Sequence, residues 1–140
     1  MTPLTHQIVV TEFDRQRLVH LLRLFRGRSG VNAWNLDALQ FELERAVVVQ
    51  PQKVPPNVIT MNSRVCLLDL DSGDRIAVSL VFPDERGTDG TKVPVLAPLG
   101  LALLGCREGD VMEWRTQQGL RRLRVDRVLY QPESTGNFFA

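Results

Sequence analysis

Leu18, Leu21, Leu22 and Phe25 recur at steps of three and four, with Arg15, Arg17, Arg23 and Arg26 at the other positions of the same turns. That spacing predicts an amphipathic helix of about four turns. Thr11-Glu12-Phe13-Asp14 marks its start, because the Thr11 hydroxyl is able to accept a hydrogen bond from a first-turn amide and Asp14 falls near the positive end of the helix dipole. Gly27-Arg28-Ser29-Gly30 ends it. Asn35 is then placed to cap a second helix in which Leu36, Leu39, Leu43, Ala46 and Val47 keep the same spacing. Two such helices joined by a short glycine-bearing loop predict an antiparallel hairpin, a short coiled coil.

Residues 48–54 lead into Pro55-Pro56-Asn57, and a double proline cannot continue a helix, so the boundary falls near residue 56. Beyond it the period changes to two. Strands are expected over 64–70 and 75–82, joined by the turn Asp71-Ser72-Gly73-Asp74. A polar loop follows, then a strand over 93–96, a short helix over 98–104 opened by Pro98 and closed by a left-handed Gly105, and strands over 111–116 and 120–130. The expected fold class is α+β. A short antiparallel helical hairpin and linker occupy 1–56, and a module of about five antiparallel strands with one crossing helix occupies 57–133. Residues 131–140 show no period; 134–140 read as a flexible tail in which Phe138 and Phe139 are able to dock.

Hydrophobic residues make up 44% and charged residues 24% of the 140, ordinary values for a chain that buries a core. The net charge is +1. Residues 1–56 carry seven Lys/Arg against five Asp/Glu, and 57–140 carry ten against eleven, so neither part projects a strong field toward duplex DNA or anionic lipid. Nucleic-acid contact is expected only within a larger complex, if at all. Residues 1–10 have no basic start with a long apolar core, and no run reaches the roughly 20 apolar residues of a membrane span. A cytoplasmic protein with no membrane partner is expected. Cys66 and Cys106 lie outside any C-x-x-C spacing, and Cys66 sits in an apolar strand pattern as a small hydrophobe.

Chemistry-bearing patterns are sparse. The glycine pairs at Gly27/Gly30 and Gly87/Gly90 lack the Gly-Lys-Ser/Thr end of a phosphate-binding loop. His6 and His20 have no His or Cys at metal-ligand spacing, and Ser63, Ser72 and Ser79 join no nucleophilic motif. Glu42 and Glu44, two apart on a helix, point to different sides, and Asp37 near the start of the second helix reads as a dipole stabiliser. Arg121, Arg122, Arg124 and Arg127 concentrate charge in the last strand. With Asp126 interleaved and no aromatic cluster to stack on bases, they read as a solvated face rather than a nucleic-acid strip. No metal or other cofactor is expected.

The order strand, Ala97-Pro98-Leu99-Gly100 through Gly105, Gly109-Asp110 turn, strand resembles the C-terminal domain of bacterial Gre-type transcript cleavage factors. Residues 58–65, 97–105 and Tyr130-Gln131-Pro132-Glu133 are similar to segments of a short branch of that family, the regulators of nucleoside diphosphate kinase, and the likeness spans essentially the whole chain. The resemblance implies an FKBP-like module and a non-enzymatic protein that binds RNA polymerase near its secondary channel, in competition with Gre factors. In Gre factors the segment that meets polymerase reads Ser-x-Asp/Asn-Ser-Pro. Here Pro94, Val95, Leu96, Ala97 and Pro98 stand in its place, keeping the proline and making the contact more apolar. The candidate partner-binding residues are therefore Pro94, Leu96, Ala97, Pro98 and Leu99, with Arg26, Arg28 and Asp37 at the hairpin tip. Gre activity needs a long hairpin with acids at its tip to hold magnesium. A helix of some fifteen residues is only about 22 Å long, and residues 26–32 contain two arginines and no acid. Stimulated transcript cleavage is accordingly not expected. A peptidyl-prolyl isomerase is the rival implied by the fold, although Phe82, Trp114 and Tyr130 are the only aromatics between Pro55 and the tail. Nucleoside diphosphate kinase is a further partner, reached directly or through control of its level.

Overall fold

A computed structural model describes residues 7–28, 32–85, 87, 90–117 and 119–139. The first helix, α1 (Glu12–Phe25), begins where expected: the Thr11 hydroxyl accepts the Asp14 amide at 3.1 Å. The second, α2 (Ala33–Arg45), starts about one turn before the expected site. Its cap is Asn32, whose Oδ1 accepts the Trp34 amide at 2.9 Å, and Asn35 lies inside the first turn. Both asparagines suit a cap, but Ala33 and Trp34 tolerate helical geometry, so the helix extends back to the earlier one.

The helices are flanked by two short strands, β1 (Val9–Thr11) and β2 (Val47–Val49), paired in parallel with Val9 opposite Val47. The expected helical continuation through Ala46 and Val47 is thus corrected. Three successive β-branched valines lose side-chain freedom in a helix and fit an extended ladder better.

The second part is a five-stranded sheet in the order β5-β4-β3-β7-β6, built from β3 (Arg64–Asp69), β4 (Arg75–Val81), β5 (Lys92–Pro94), β6 (Val111–Thr116) and β7 (Gly119–Tyr130). The expectation of an all-antiparallel sheet is corrected at one edge: β5 runs parallel to β4, with Ser79 opposite Lys92. The long polar connection between them carries the chain back along the sheet, so β5 enters at the same end as β4. Pro94, lacking an amide donor, is tolerated there because β5 is the edge. The β3–β4 turn is held by the Asp69 carboxylate, which accepts the amides of Asp71 at 2.9 Å and Ser72 at 3.1 Å. Those two amides, helped by the Arg121 guanidinium, hold the Asp69 carboxyl below the usual carboxylate range.

A third helix, α3 (Pro98–Leu103), crosses the sheet with proline in its first turn. Two glycines allow its seating. A Cβ on Gly100 would stand 2.0 Å from the Pro94 carbonyl oxygen, and one on Gly105, at φ +80°, would stand 2.2 Å from Ile8 Cγ2. One continuous core results. Leu18, Leu36 and Leu39 of the helices share it with Ile59, Leu67, Leu80, Leu103 and Val125 of the sheet part, and none of these is more than 2% exposed.

The segment after β7 is anchored, although it shows no hydrophobic period. Gln131 Nε2 donates to the carbonyls of Pro55 at 2.8 Å and Val58 at 2.7 Å, Glu133 accepts the Thr60 hydroxyl at 2.6 Å, and Phe139 meets Phe13 edge-on with centroids 5.3 Å apart. Polar anchoring of this kind leaves no periodic trace in a sequence.

Candidate partner-docking surface

The segment expected to meet a partner begins at the sheet edge. Val95 donates its amide to the Val81 carbonyl at 2.9 Å and is fully buried, the Ala97 amide closes a turn on the Pro94 carbonyl at 3.0 Å, and Pro98 opens α3. This geometry turns Pro98 outward, leaves Pro94, Leu96 and Ala97 half-buried, and drives Leu99 into the core. The helical part covers the same segment: Asn35 Nδ2 donates to the Leu96 carbonyl at 2.9 Å. Of the five candidate residues, Pro98 is thus the most open, and Leu99 acts through packing beneath the others.

At the tip, Arg26 and Asp37 are brought together across the loop. Arg26 Nη1 donates to Asp37 Oδ1 at 2.7 Å and Nη2 donates to Gln40 Oε1 at 2.6 Å. Asp37 therefore ties the two helices, a correction of the dipole role expected for it; it lies beyond the first turn of α2, where that effect has faded. Arg28 stands 5.1 Å over the Phe25 ring. Residues 29–31 lie outside the described residues.

Two residues were missed by the sequence reading. Trp34 is 83% exposed and Phe41 is 55% exposed, seven positions apart on α2 and off its buried Leu36, Leu39 and Leu43 stripe. The signal was available: two large aromatics on the polar side of a helix are unexpected unless something covers them. Phe41 carries the Arg45 guanidinium at 5.1 Å from its centroid.

The helical and sheet parts are also joined by a buried polar cluster. Asp14, 2% exposed, pairs with Arg17, whose guanidinium lies 4.2 Å from the Phe13 centroid and 4.6 Å from that of Phe82. Burial pushes the Asp14 carboxyl up to about 6, against the pull of Arg17 and of the Met61 amide, and the nearby Glu133 adds to the rise. Phe82, 8% exposed and covered by Arg17, is spent on this junction rather than lining a prolyl pocket.

Three of the four arginines of β7 are matched by acids. Arg121 pairs with Asp69, Arg122 with Asp71 at 3.1 Å, and Arg124 with Asp126 at 3.0 Å, while Arg75 reaches Asp126 at 3.3 Å. Arg124 and Arg75 together hold the Asp126 carboxyl below the usual range. An ion-paired strand face of this kind offers little net charge to a phosphate backbone. His20 is exposed on α1, and His6 lies outside the described residues. Among the described residues no three His, Cys, Asp or Glu side chains gather as a metal site, and no helix is long and apolar enough to cross a membrane.

Residues 54–130 match the family model described as transcription elongation factor, GreA/GreB, C-term, and residues 6–49 match the model described as Rnk N-terminus. A solved structure titled prokaryotic transcription elongation factor GreA/GreB from Nitrosomonas europaea superposes with a TM-score of 0.78 at 38% identity, covering 90% of this chain and all of that one. The transcription inhibitor protein Gfh1 of Thermus thermophilus is 39% identical over 92 residues, 64% of this chain and 58% of that protein. The regulator of nucleoside diphosphate kinase of Escherichia coli K12 is 36% identical over 132 residues, 94% of this chain and 95% of that protein. A helical N-terminal part seated on a mixed sheet of this type defines a Gre-like transcription factor. Within that class, the chain belongs to the family of regulators of nucleoside diphosphate kinase.

Proposed function

We propose that this protein is a cytoplasmic regulator that binds RNA polymerase near its secondary channel, competes there with Gre factors, and performs no catalysis of its own. The observation that carries the reading is the match of residues 54–130 to the GreA/GreB C-terminal family. Its sheet part acts as the FKBP-like docking module, with Pro98 and the half-buried Pro94, Leu96 and Ala97 as one contact. The helices form the antiparallel hairpin, and its exposed Trp34 and Phe41 supply a second contact beside the tip residues Arg26 and Arg28. Large amphipathic aromatics and arginines dominate the energy of protein interfaces.

The hairpin is short for work deep in a channel. Helices of 14 and 13 residues rise about 21 and 20 Å, and residues 26–32 contain no carboxylate to hold a catalytic magnesium. Binding without transcript cleavage is the consequence. Any effect on nucleoside diphosphate kinase then follows from transcription rather than from contact with the kinase.

Co-elution with core RNA polymerase at micromolar concentration tests the reading. A complex is expected, displaced by excess Gre factor and weakened about tenfold or more by the double substitution Trp34→Ala and Phe41→Ala, as for interface anchors. Added to backtracked polymerase with magnesium, the protein is expected to leave transcript length unchanged. Failure to form a complex, or magnesium-dependent shortening of the transcript, would overturn it.

A further inference from the structure

A cleft of about 320 Å³ opens between α1 and α2. Its floor is apolar: Leu22 and Leu43 are buried and Val19 is half-buried beside them. Its rim is basic. Arg15, Val19, Arg23 and Arg26 follow one another along α1 and its C-cap at steps of four, four and three, so a single face presents all of them along about 16 Å.

The three guanidinium groups are committed to different degrees. Arg26 spends two nitrogens on Asp37 and Gln40, which fixes its plane and leaves further N–H donors of its five. Arg15 has only a loose pair with Glu12, at 3.8 Å between exposed side chains. Among the described residues Arg23 has no ion pair. The single acid on the rim, Glu44, accepts the Gln40 amide at 3.1 Å and stays exposed. With Asp37 and Glu12 paired to Arg26 and Arg15, the positive charge left over is that of Arg23, and this cation, beside the spare Arg26 donors and over an apolar floor, complements a molecule that is negative at one end and flat and apolar at the other. The volume lies at the lower end of small-ligand cavities, roughly 300–1,000 Å³. A partner helix, about 10 Å across, would rest on the rim instead of filling it.

We propose that this cleft is a binding site for a small organic anion, a flat apolar body bearing a phosphate or carboxylate. The anionic group lies against Arg23 and Arg26, and the body rests on Val19, Leu22 and Leu43. The site shares only Arg26 with the proposed polymerase contacts, and its failure would leave Pro98, Trp34 and Phe41 standing as those contacts.

Amide NMR of the ¹⁵N-labelled full chain, titrated to millimolar concentration, tests this with four probes. Adenosine monophosphate and 2-naphthoate supply the phosphate and carboxylate forms; adenosine and inorganic phosphate supply body and anion alone. Saturable shifts of residues 19–26 and 40–44 are expected with at least one of the first pair, and much weaker ones with the second pair. Arg23→Gln should weaken that binding about tenfold, the scale of a charged hydrogen bond, while Arg127→Gln on the exposed side of β7 leaves it unchanged. The proposal is overturned by absence of a saturable shift, by an equal response to inorganic phosphate, by undiminished binding in the Arg23→Gln protein, or by a glutamate-rich peptide that occupies the cleft and excludes both anions.

Discussion

Asp14 illustrates how one side chain is given two tasks. Its place in the first turn of α1 suits the helix dipole, and that much is readable from Thr11-Glu12-Phe13-Asp14. Its burial between α1, the Met61 amide and Glu133 is not readable, because residues 61 and 133 are brought there only by folding. The consequence is a measurable pH dependence. The folded-state pKa, about 6, stands above the ordinary 3.8, so the folded protein binds this proton more tightly than the unfolded chain. The associated stability is fully present below pH 4 and is lost as pH rises through 6, a change of about 3 kcal/mol at most. Asp69 and Asp126, both held below 3.8, titrate outside this window. Urea midpoints are expected to fall between pH 4.5 and 7, and Asp14→Asn, which keeps an acceptor for Arg17 and the Met61 amide, is expected to flatten that fall.

Among the elements, the two asparagines before and within α2 separate local from tertiary information. Either fits a helix cap by composition, and only the structure shows Asn32 capping while Asn35 reaches the Leu96 carbonyl. Asn32→Ala should cost about 1 kcal/mol through the lost cap. Asn35→Ala should cost a similar amount, about 1 kcal/mol, through a lost tertiary bond. Chemical denaturation measures both. Hydrogen exchange distinguishes them: Asn32→Ala should release amides in the first turn of α2, whereas Asn35→Ala should release those of residues 96–101. The strands divide in the same way. Residues 64–69, 75–81 and 111–116 were legible from alternation and turn residues. The parallel pairings of β1 with β2 and of β5 with β4 were not, because a three-residue strand carries no usable period and its direction depends on where a distant partner lies.

For the molecule as a whole, the Pro55-Pro56 break divides the chain in sequence but not in its core. Leu36 and Leu39 of α2 lie in the same cluster as Leu99 and Leu103 of α3, and Gly105 leaves room for Ile8. Removing residues 1–56 would uncover that face of α3. The remaining piece is expected to aggregate or to bind a hydrophobic dye, in contrast to the full chain, as gel filtration and dye fluorescence would report.

Periodicity, caps and turn glycines determined the α+β class and the existence of α1, α2 and α3, since these depend on neighbours a few residues apart, and the residues around Pro98 carried the resemblance to Gre factors. The order and direction of the strands, the burial of Asp14 and Leu99 and the Arg26–Asp37 tie were decided only by the tertiary structure. Each of these depends on segments far apart in the chain, and burial is a property of what covers a residue rather than of the residue itself.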